Sequence, residues 1–417
     1  MSSAHARSTS ARHGGSARGA RLLGARCTLV ALGLLAALGA CAPSYADGYL
    51  ASFTRGLRAH REGRDDEARL AFDDAAALGD RYKDRAEALM LRARSEERLG
   101  LLDDAEATYG LVVAESRGRY HGVRAAFALL RIAEARRTLD EVLVRLADTL
   151  ASHPDSGLVR GTLRRSLARL DEERGVEASL AWLDGLAPRL RATAAEPIVD
   201  FERAGRLAQL GRLAEARALY VAMARAHPYP AGALTDDAYY RAALLEERLG
   251  RPREAVLLLE EMLAPREAAY LGASYERPRF PEGRLRLGLL HAGPLGDRAR
   301  GKRELRRLAE QHPSSRLVDD ALWLEARLQA EDGEQARACA TLGRLTELRA
   351  TSRYLPCLPL VCTTMRARSD ESCPAYLERE LAEPALGATA ARVSPARLEA
   401  ERPEASEAQP EAGEAGP

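Results

Sequence analysis

A glycine followed at fixed distances by an acid, an alanine and a large apolar residue recurs along this chain. The acid stands four residues after the glycine, the alanine five and the large residue nine. The four clear copies begin at Gly63, Gly100, Gly211 and Gly250. Self-similarity with a period of this length is typical of a repeat architecture, in which one small structural unit stacks on the next.

Each residue of the repeat has a place in a helical hairpin. Glycine ends the first helix because it adopts a positive φ without a Cβ clash. Alanine lets the two helices approach closely, and the large residue four positions later lies on the same helix face and fills the space beside it. The alanines are Ala68, Ala105, Ala216 and Ala255, and the large residues are Phe72, Tyr109, Tyr220 and Leu259.

The spacing predicts further units between and after the clear copies. Gly100 and Gly175 are 75 residues apart, so a hidden unit turns near Thr138. Looser copies turn near Gly175, Gly296 and Gly333, where Ala178 and Ala336 come two residues early. These turns bring the total to about eight units.

The residue content favours helix throughout the chain. Ala, Leu, Arg and Glu are abundant and favour helix, whereas β-branched residues are scarce, with only two isoleucines. Three His-Pro pairs end second helices, since proline cannot continue a helix, at residues 153–154, 227–228 and 312–313. We therefore expect an all-α superhelix, or solenoid, of about eight hairpins over residues 49–350, with first helices lining a concave groove.

The pattern resembles the tetratricopeptide repeat, in which a small residue, a close-packing alanine, an aromatic and a terminating proline recur through a hairpin of about 34 residues. The likeness covers residues 45 to about 350. The junctions at 227–240 and 312–323 are similar to those of periplasmic repeat proteins such as the Tol-Pal coordinator and the repeat lipoprotein of the outer-membrane β-barrel assembly machine. This resemblance implies a tetratricopeptide-like fold and envelope proteins or peptides as partners.

A concave helical groove of this kind binds peptides. The candidates for its surface are polar or aromatic first-helix residues, namely Arg92, Glu96, Tyr239, Arg241 and Glu246. The alternative for each is a solvated helix face or, for Tyr239, packing into the preceding hairpin.

A basic leader and a short apolar run precede the repeats. Five arginines and no acid stand before Asp47, and the apolar run from Cys27 to Ala40 is 14 residues long. A membrane-spanning helix needs about 20 apolar residues. The layout is that of a secretory signal peptide over residues 1–40.

The sequence Leu38-Gly39-Ala40-Cys41 resembles the lipobox of bacterial lipoproteins. By that resemblance the Cys41 sulfur is diacylated, the leader is cut and the new amine is acylated. Residues 41–48 would then form a lipidated tether, and Ala42 implies the periplasmic face of the outer membrane. Several acyl chains hold a protein firmly on a bilayer. The alternative is an ordinary signal peptide cut after Ala42 or Ala46, which leaves a soluble periplasmic protein.

Four further cysteines lie near the end of the repeats, and Cys27 is removed with the leader on this interpretation. In an exported protein, Cys339, Cys357, Cys362 and Cys373 predict two disulfides with three possible pairings. Free thiols and a zinc site are the alternatives, although no histidine lies nearby and the spacing lacks paired knuckles. We expect a cysteine-containing cap at 351–383 and a disordered Ala/Glu/Pro-rich tail at 384–417.

Several function classes are disfavoured by the sequence. Basic and acidic residues are intermixed, 62 against 61, so no basic stripe predicts nucleic acid binding. The segment from Gly296 to Lys302 has the spacing of a phosphate loop, but Arg303 stands where Ser or Thr must ligate magnesium, which favours an inter-helix turn. No residue is a candidate for catalysis, cofactor or metal binding, and no small-molecule substrate is expected.

These observations together predict a membrane-anchored, non-enzymatic scaffold or adaptor in the bacterial envelope. The alternatives are a structural subunit of a secretion or motility complex and an accessory to a cell-wall enzyme.

Overall fold

A computed structural model describes residues 45–116, 118–229, 232–264, 277, 279–368 and 372–386. The expected signal peptide, Cys41 and most of the expected tail lie outside these residues. The chain divides into two compact units, residues 1–132 and 133–417, and the division falls inside one helix.

The described helices up to residue 348 form eight consecutive hairpins. Hairpin 1 consists of α1 (Tyr49–Arg61) and α2 (Asp65–Leu78), hairpin 2 of α3 (Tyr82–Arg98) and α4 (Leu102–Ser116), hairpin 3 of α5 (Tyr120–Arg136) and α6 (Leu139–Ser152), and hairpin 4 of α7 (Leu158–Arg174) and α8 (Val176–Leu190). Hairpin 5 consists of α9 (Glu196–Gln209) and α10 (Leu213–Ala226), hairpin 6 of α11 (Thr235–Arg248) and α12 (Pro252–Leu263), hairpin 7 of α13 (Phe280–Ala292) and α14 (Arg298–Gln311), and hairpin 8 of α15 (Val318–Glu331) and α16 (Gln335–Leu348). The prediction of an all-α chain with about eight tetratricopeptide-like hairpins is confirmed.

A short helical segment follows hairpin 8. It contains a 3-10 turn (Leu355–Cys357), α17 (Leu358–Val361) and α18 (Ala375–Leu381). Ala385 is fully buried. Packed structure therefore continues past residue 383, where the sequence predicts the cap to end.

A glycine with a positive φ lies in the turn between the two helices of seven of the eight hairpins. The φ values lie between 69° and 87°, at Gly63, Gly100, Gly175, Gly211, Gly250, Gly296 and Gly333. Hairpin 3 lacks such a glycine and starts its second helix with a capping box instead. The Thr138 hydroxyl accepts a hydrogen bond from the Glu141 N–H, and the Glu141 carboxylate accepts one from the Thr138 N–H.

Replacing Thr138 with alanine should destabilise α6, because its N-cap loses the side-chain acceptor; caps of this type contribute about 1 kcal/mol. Hydrogen bonds from Thr138 lower the pKa of Glu141 below its ordinary value of 4.5. A lowered pKa stabilises the fold above pH 4.5, and this contribution is lost as the pH falls through the folded-state value. The difference in stability between wild type and Thr138→Ala should therefore become smaller at acidic pH. Hydrogen exchange of α6 measures it, with Thr149→Ala in the same helix as the control.

The small residue that lets the two helices of a hairpin approach is buried in every clear copy. Ala68, Ala105, Ala216 and Ala255 have no exposed surface. In the looser copies the alanines predicted from the sequence are not the buried residues. Ser179 and Ala338 are fully buried, whereas Ala178 is half-buried and Ala336 is exposed. In hairpin 4 the pattern is shifted, since Gly175 is itself the residue before α8. In hairpin 8 the alanine stands at the regular distance of five from Gly333.

Each unit has its own core. In the first unit, one cluster of buried side chains includes Tyr49 of α1, Leu89 of α3, Tyr109 of α4 and Ile132 of α5. In the second unit, α13 contributes to two clusters of buried side chains. Leu287 and Leu290 belong to the first cluster, and Leu285 and Leu289 belong to the second. This helix is buried on both sides, so it lacks the polar face of a surface helix.

Candidate functional site

The two groove candidates of hairpin 2 form an internal ion pair. The Arg92 Nε lies 2.8 Å from Glu96 Oε1, and the Arg92 guanidinium also pairs with Asp73 of the preceding hairpin. The Glu96 side chain is fully buried, and that of Arg92 is 25% exposed. A buried carboxylate is retained only when a cation or hydrogen bonds compensate for its lost hydration. The structure therefore gives Glu96 a packing role that sequence reasoning missed.

Glu246 of hairpin 6 has the same environment as Glu96. Its side chain is 1% exposed, and one carboxylate oxygen lies 2.5 Å from Arg217 Nε of hairpin 5. The other oxygen lies 3.8 Å from Arg251. Glu246 thus joins two neighbouring hairpins instead of standing on an open surface.

The remaining two candidates also contact the preceding hairpin or their own second helix. The Tyr239 hydroxyl donates to the Glu261 carboxylate at 2.7 Å, and burial, followed by this hydrogen bond, raises the pKa of Tyr239 to about 12. The Arg241 guanidinium lies 5.3 Å from the centroid of the Phe201 ring, within range of a cation–π interaction. Partner binding by any of the five candidates stays a prediction.

Opposite charges join the first helices of successive hairpins within each unit. The pairs are Glu97 with Arg131 at 2.6 Å, Asp171 with Arg206 at 3.1 Å, and Glu247 with Arg286 at 2.5 Å. In each pair at least one side chain is no more than 19% exposed. Part of the intermixed charge of the sequence therefore joins successive hairpins.

A Ser-His-Asp group that the sequence did not reveal links hairpins 1 and 2. The His60 Nδ1 lies 3.1 Å from Ser95 Oγ and 3.2 Å from Asp65 Oδ1, and Arg98 pairs with Asp65. A catalytic triad uses both ring nitrogens, one for the serine and one for the carboxylate. Here both partners contact the same nitrogen, and Ser95 is fully buried. Burial, followed by Arg98, lowers the pKa of His60. The group is therefore best described as a polar contact between hairpins 1 and 2.

The phosphate-loop spacing at 296–302 belongs to the turn and second helix of hairpin 7. The Asp297 carboxylate caps α14 by accepting from the Arg300 N–H at 2.9 Å. The Lys302 Nζ lies 2.7 Å from Asp332 and 2.9 Å from Glu334, and its side chain is 10% exposed. A phosphate-binding lysine must be free to reach its ligand, whereas Lys302 holds hairpin 8 against hairpin 7.

The four C-terminal cysteines form two disulfides. Cys339 is bonded to Cys362, and Cys357 to Cys373. This is one of the three pairings that the sequence left open. Across the residues described, no group of three or more His, Cys, Asp or Glu side chains is arranged to hold a metal ion. None of the described helices combines the length and apolarity that a bilayer crossing requires.

A cavity of about 250 Å³ lies between hairpins 5 and 6 of the second unit. The Arg277 guanidinium, whose pKa burial lowers, lies 4.0 Å from the centroid of the Tyr229 ring. This volume lies just below the range of about 300 to 1,000 Å³ that is typical of small-molecule sites. Of the candidates predicted from the sequence, Tyr239 alone lines this cavity. The lining residues are Ala224, Arg225, Pro228, Tyr229, Thr235, Tyr239, Glu261, Met262 and Arg277.

Comparison with known proteins supports the repeat interpretation over part of the chain. A model of the tetratricopeptide repeat family matches residues 282–315, which include most of hairpin 7. No curated protein sequence matches the chain.

Two solved structures resemble the fold at low identity. One is a tetratricopeptide repeat protein from Parabacteroides merdae ATCC 43184, with 10% identity, a TM-score of 0.30, and coverage of 66% of this chain and 96% of that one. The other is BtubC (BKLC) from P. vanneervenii, with 15% identity, a TM-score of 0.30, and coverage of 64% and 92%. Likeness at this level carries no argument about function.

Proposed function

We propose that this chain is a non-enzymatic protein-interaction scaffold of the bacterial envelope, anchored by lipid at Cys41 to the periplasmic face of the outer membrane. The observation that carries the scaffold role is the series of eight helical hairpins, one of which matches the tetratricopeptide repeat family. Stacked hairpins present an extended surface suited to protein partners and peptides.

The geometry of the polar groups supports a role without catalysis. Ser95 and Asp65 contact the same nitrogen of His60, which is not the arrangement that activates a serine nucleophile. Lys302, the lysine of the phosphate-loop spacing, is bound to two carboxylates.

The envelope location is supported by two independent features of the chain. The leader has the charge and length of a secretory signal peptide and ends at a lipobox-like sequence. The four C-terminal cysteines are joined in disulfides, which form and persist in oxidising compartments such as the bacterial periplasm.

Replacing Cys41 with alanine tests the anchor. We expect Cys41→Ala to lose palmitate labelling and to leave uncleaved or soluble protein, because the lipobox-like sequence then lacks the thiol that would carry the thioether lipid. Cys27→Ala is the matched control, since Cys27 lies in the leader and its removal should leave labelling and membrane fractionation unchanged. Unchanged labelling of Cys41→Ala would refute the anchor.

Affinity capture after envelope crosslinking tests the scaffold role. Recovery of barrel-assembly proteins or other envelope proteins in stoichiometric amount supports an adaptor. Secretion or motor subunits would favour the structural-subunit alternative, and peptidoglycan enzymes the accessory role. Capture of cytoplasmic proteins alone would contradict the envelope assignment.

A further inference from the structure

Three tyrosines reach the surface of the first unit, and they lie on one edge of its hairpins. Tyr45, Tyr82 and Tyr120 stand 37 and 38 residues apart, which is the spacing of the repeat. Tyr45 precedes α1, and the other two are the first residues of α3 and α5. The remaining tyrosines of residues 45–132, Tyr49 and Tyr109, are buried. We call residues 45–48, 80–83 and 118–124 the tyrosine edge.

Arginines of the next hairpin cover the first two of these rings. The Arg81 guanidinium carbon lies 4.4 Å from the centroid of the Tyr45 ring. That of Arg119 lies 4.6 Å from the centroid of the Tyr82 ring. Both distances are within the range of a cation–π interaction. Tyrosine and arginine therefore alternate along the edge from hairpin 1 to hairpin 3.

The third tyrosine is covered by its own helix. Arg124 lies 5.4 Å from the centroid of the Tyr120 ring and donates to its hydroxyl at 2.6 Å. Tyr120 is nevertheless 62% exposed. In the described part of the chain, no carboxylate pairs with Arg119 or Arg124, since both guanidiniums contact tyrosine. The charges of these two arginines are therefore available to an anion.

The other charges of the tyrosine edge are nearly balanced. Arg81 holds both carboxylate oxygens of Asp84, at 2.6 and 2.8 Å, so this pair is internally satisfied. Lys83 is exposed, as are the acids Asp47 and Asp80. With the two arginines that lack a carboxylate, the exposed cations outnumber these two acids.

The opposite edge of the same hairpins has a different composition. It contains the turns of hairpins 1 and 2, and residues 61–67 and 98–104 include no Phe, Tyr or Trp. Because α3 has 17 residues, the two edges are about 25 Å apart. Tyrosine with arginine or lysine is the composition of membrane–water interfaces, where the ring is partly apolar and the cation meets lipid phosphate.

The chain enters the fold at the tyrosine edge. Tyr45 stacks on Tyr49 with 5.6 Å between ring centroids, so packed structure begins at this residue. Three residues separate Tyr45 from Cys41. Four steps of fully extended chain span at most about 14 Å. A lipid on Cys41 would therefore keep this edge, and not the opposite one, next to the bilayer surface.

We propose that the tyrosine edge lies on the bilayer and binds the phosphates of lipid headgroups. Tyr45 and Tyr120 place their rings at the interface, and Arg119 and Arg124 donate to phosphate oxygens, which a guanidinium can bind through two N–H groups. The turns of hairpins 1 and 2 then point away from the membrane. This inference rests on the proposed anchor at Cys41 and adds the orientation of the first unit.

Two matched labels on the lipidated chain test this orientation. Asp80→Cys places a thiol on the tyrosine edge, and Asp104→Cys places one at the start of α4, on the opposite edge. Both aspartates are exposed. The four C-terminal cysteines are joined in disulfides, so the new thiol can be labelled selectively with a fluorophore.

The measurement is quenching of the fluorophore by headgroup-nitroxide lipids in vesicles of phosphatidylethanolamine and phosphatidylglycerol. We expect quenching at residue 80 to be about threefold stronger or more than at residue 104, because the two edges are about 25 Å apart. Equal quenching at both positions would overturn the proposal and leave the tyrosine edge to a protein partner.

Charge reversal separates phosphate binding from simple tethering. Arg119→Glu/Arg124→Glu should reduce the quenching at residue 80 to about that at residue 104, since anionic headgroups repel the new charges. Arg58→Glu/Arg61→Glu makes the same change on exposed arginines at the end of α1 and should leave the quenching unchanged. Circular dichroism checks that both variants are folded.

Two further outcomes would contradict the proposal in different ways. Strong quenching at residue 80 that survives the reversal of Arg119 and Arg124 would show that the tether alone sets the orientation. A chain that does not float with the vesicles in a density gradient would contradict the anchor at Cys41 and this proposal with it. Flotation therefore distinguishes failure of the proposed anchor from failure of the tyrosine edge.

Discussion

Replacing Gly301 with alanine is expected to destabilise hairpin 7 by about 2 kcal/mol, although alanine is the stronger helix former. A Cβ at this position would lie 2.6 Å from the Ala292 Cβ and 2.8 Å from the Gly288 carbonyl oxygen. Both atoms belong to α13, which is buried on both sides and has no room to shift. The cost of separating the two helices therefore exceeds the gain in helix propensity.

Gly343→Ala is the matched control, because it makes the same change in a second helix of the same unit. Nothing lies within 4 Å of a Cβ at Gly343, so this variant should be more stable than wild type by up to about 1 kcal/mol. Hydrogen exchange of α13 and α14 is the measurement, since long repeat arrays need not unfold in one step. A Gly301→Ala protein with wild-type protection would show that the two helices are not in close contact.

The hairpins could be predicted from the sequence because their signals are local. A glycine and the buried residues that follow it lie within one turn and one helix, so their spacing in the chain is their spacing in the structure. The prediction of register is less accurate in the looser copies, as at Ala178 and Ala336, because several small residues stand near the expected position. In the structure the buried residues are Ser179 and Ala338.

Contacts between hairpins could not be predicted in the same way. Glu97 meets Arg131 across 34 residues and Asp171 meets Arg206 across 35, yet each of these side chains stands among many others of the same charge. Which pair forms depends on the rotation of one helix against the next. The same holds for the two disulfides, whose pairing depends on how the chain turns back after hairpin 8.

The repeat pattern does contain a feature that predicts the burial of Glu96 and Glu246. Glu96 and Glu246 both stand four residues before the turn glycine. The same position holds Ala59 and Leu207 in the other clear copies, and all four residues are buried. An apolar residue at an equivalent position indicates a site that faces a neighbour. An acid there is tolerated because an arginine of the adjacent helix compensates for its charge.

Replacing Glu246 with alanine is the second prediction with a large effect. Breaking a buried ion pair typically costs about 3 to 5 kcal/mol, because one charge is left without its partner. The Arg217 side chain is 36% exposed and regains some contact with water, so we expect a loss of about 2 kcal/mol. Thermal unfolding and hydrogen exchange of hairpins 5 and 6 would measure it, with the exposed Glu254→Ala of α12 as a near-neutral control.

Partner binding separates this packing role from a role in the groove. If Glu246 joins hairpins 5 and 6, Glu246→Ala should lose stability while each folded molecule keeps its affinity for the captured partner. If Glu246 contacts the partner, affinity should fall and stability should stay close to wild type. The repeat pattern favours the first result. The residue four positions before the turn glycine is alanine, leucine or glutamate in the clear copies, and it is buried in all of them.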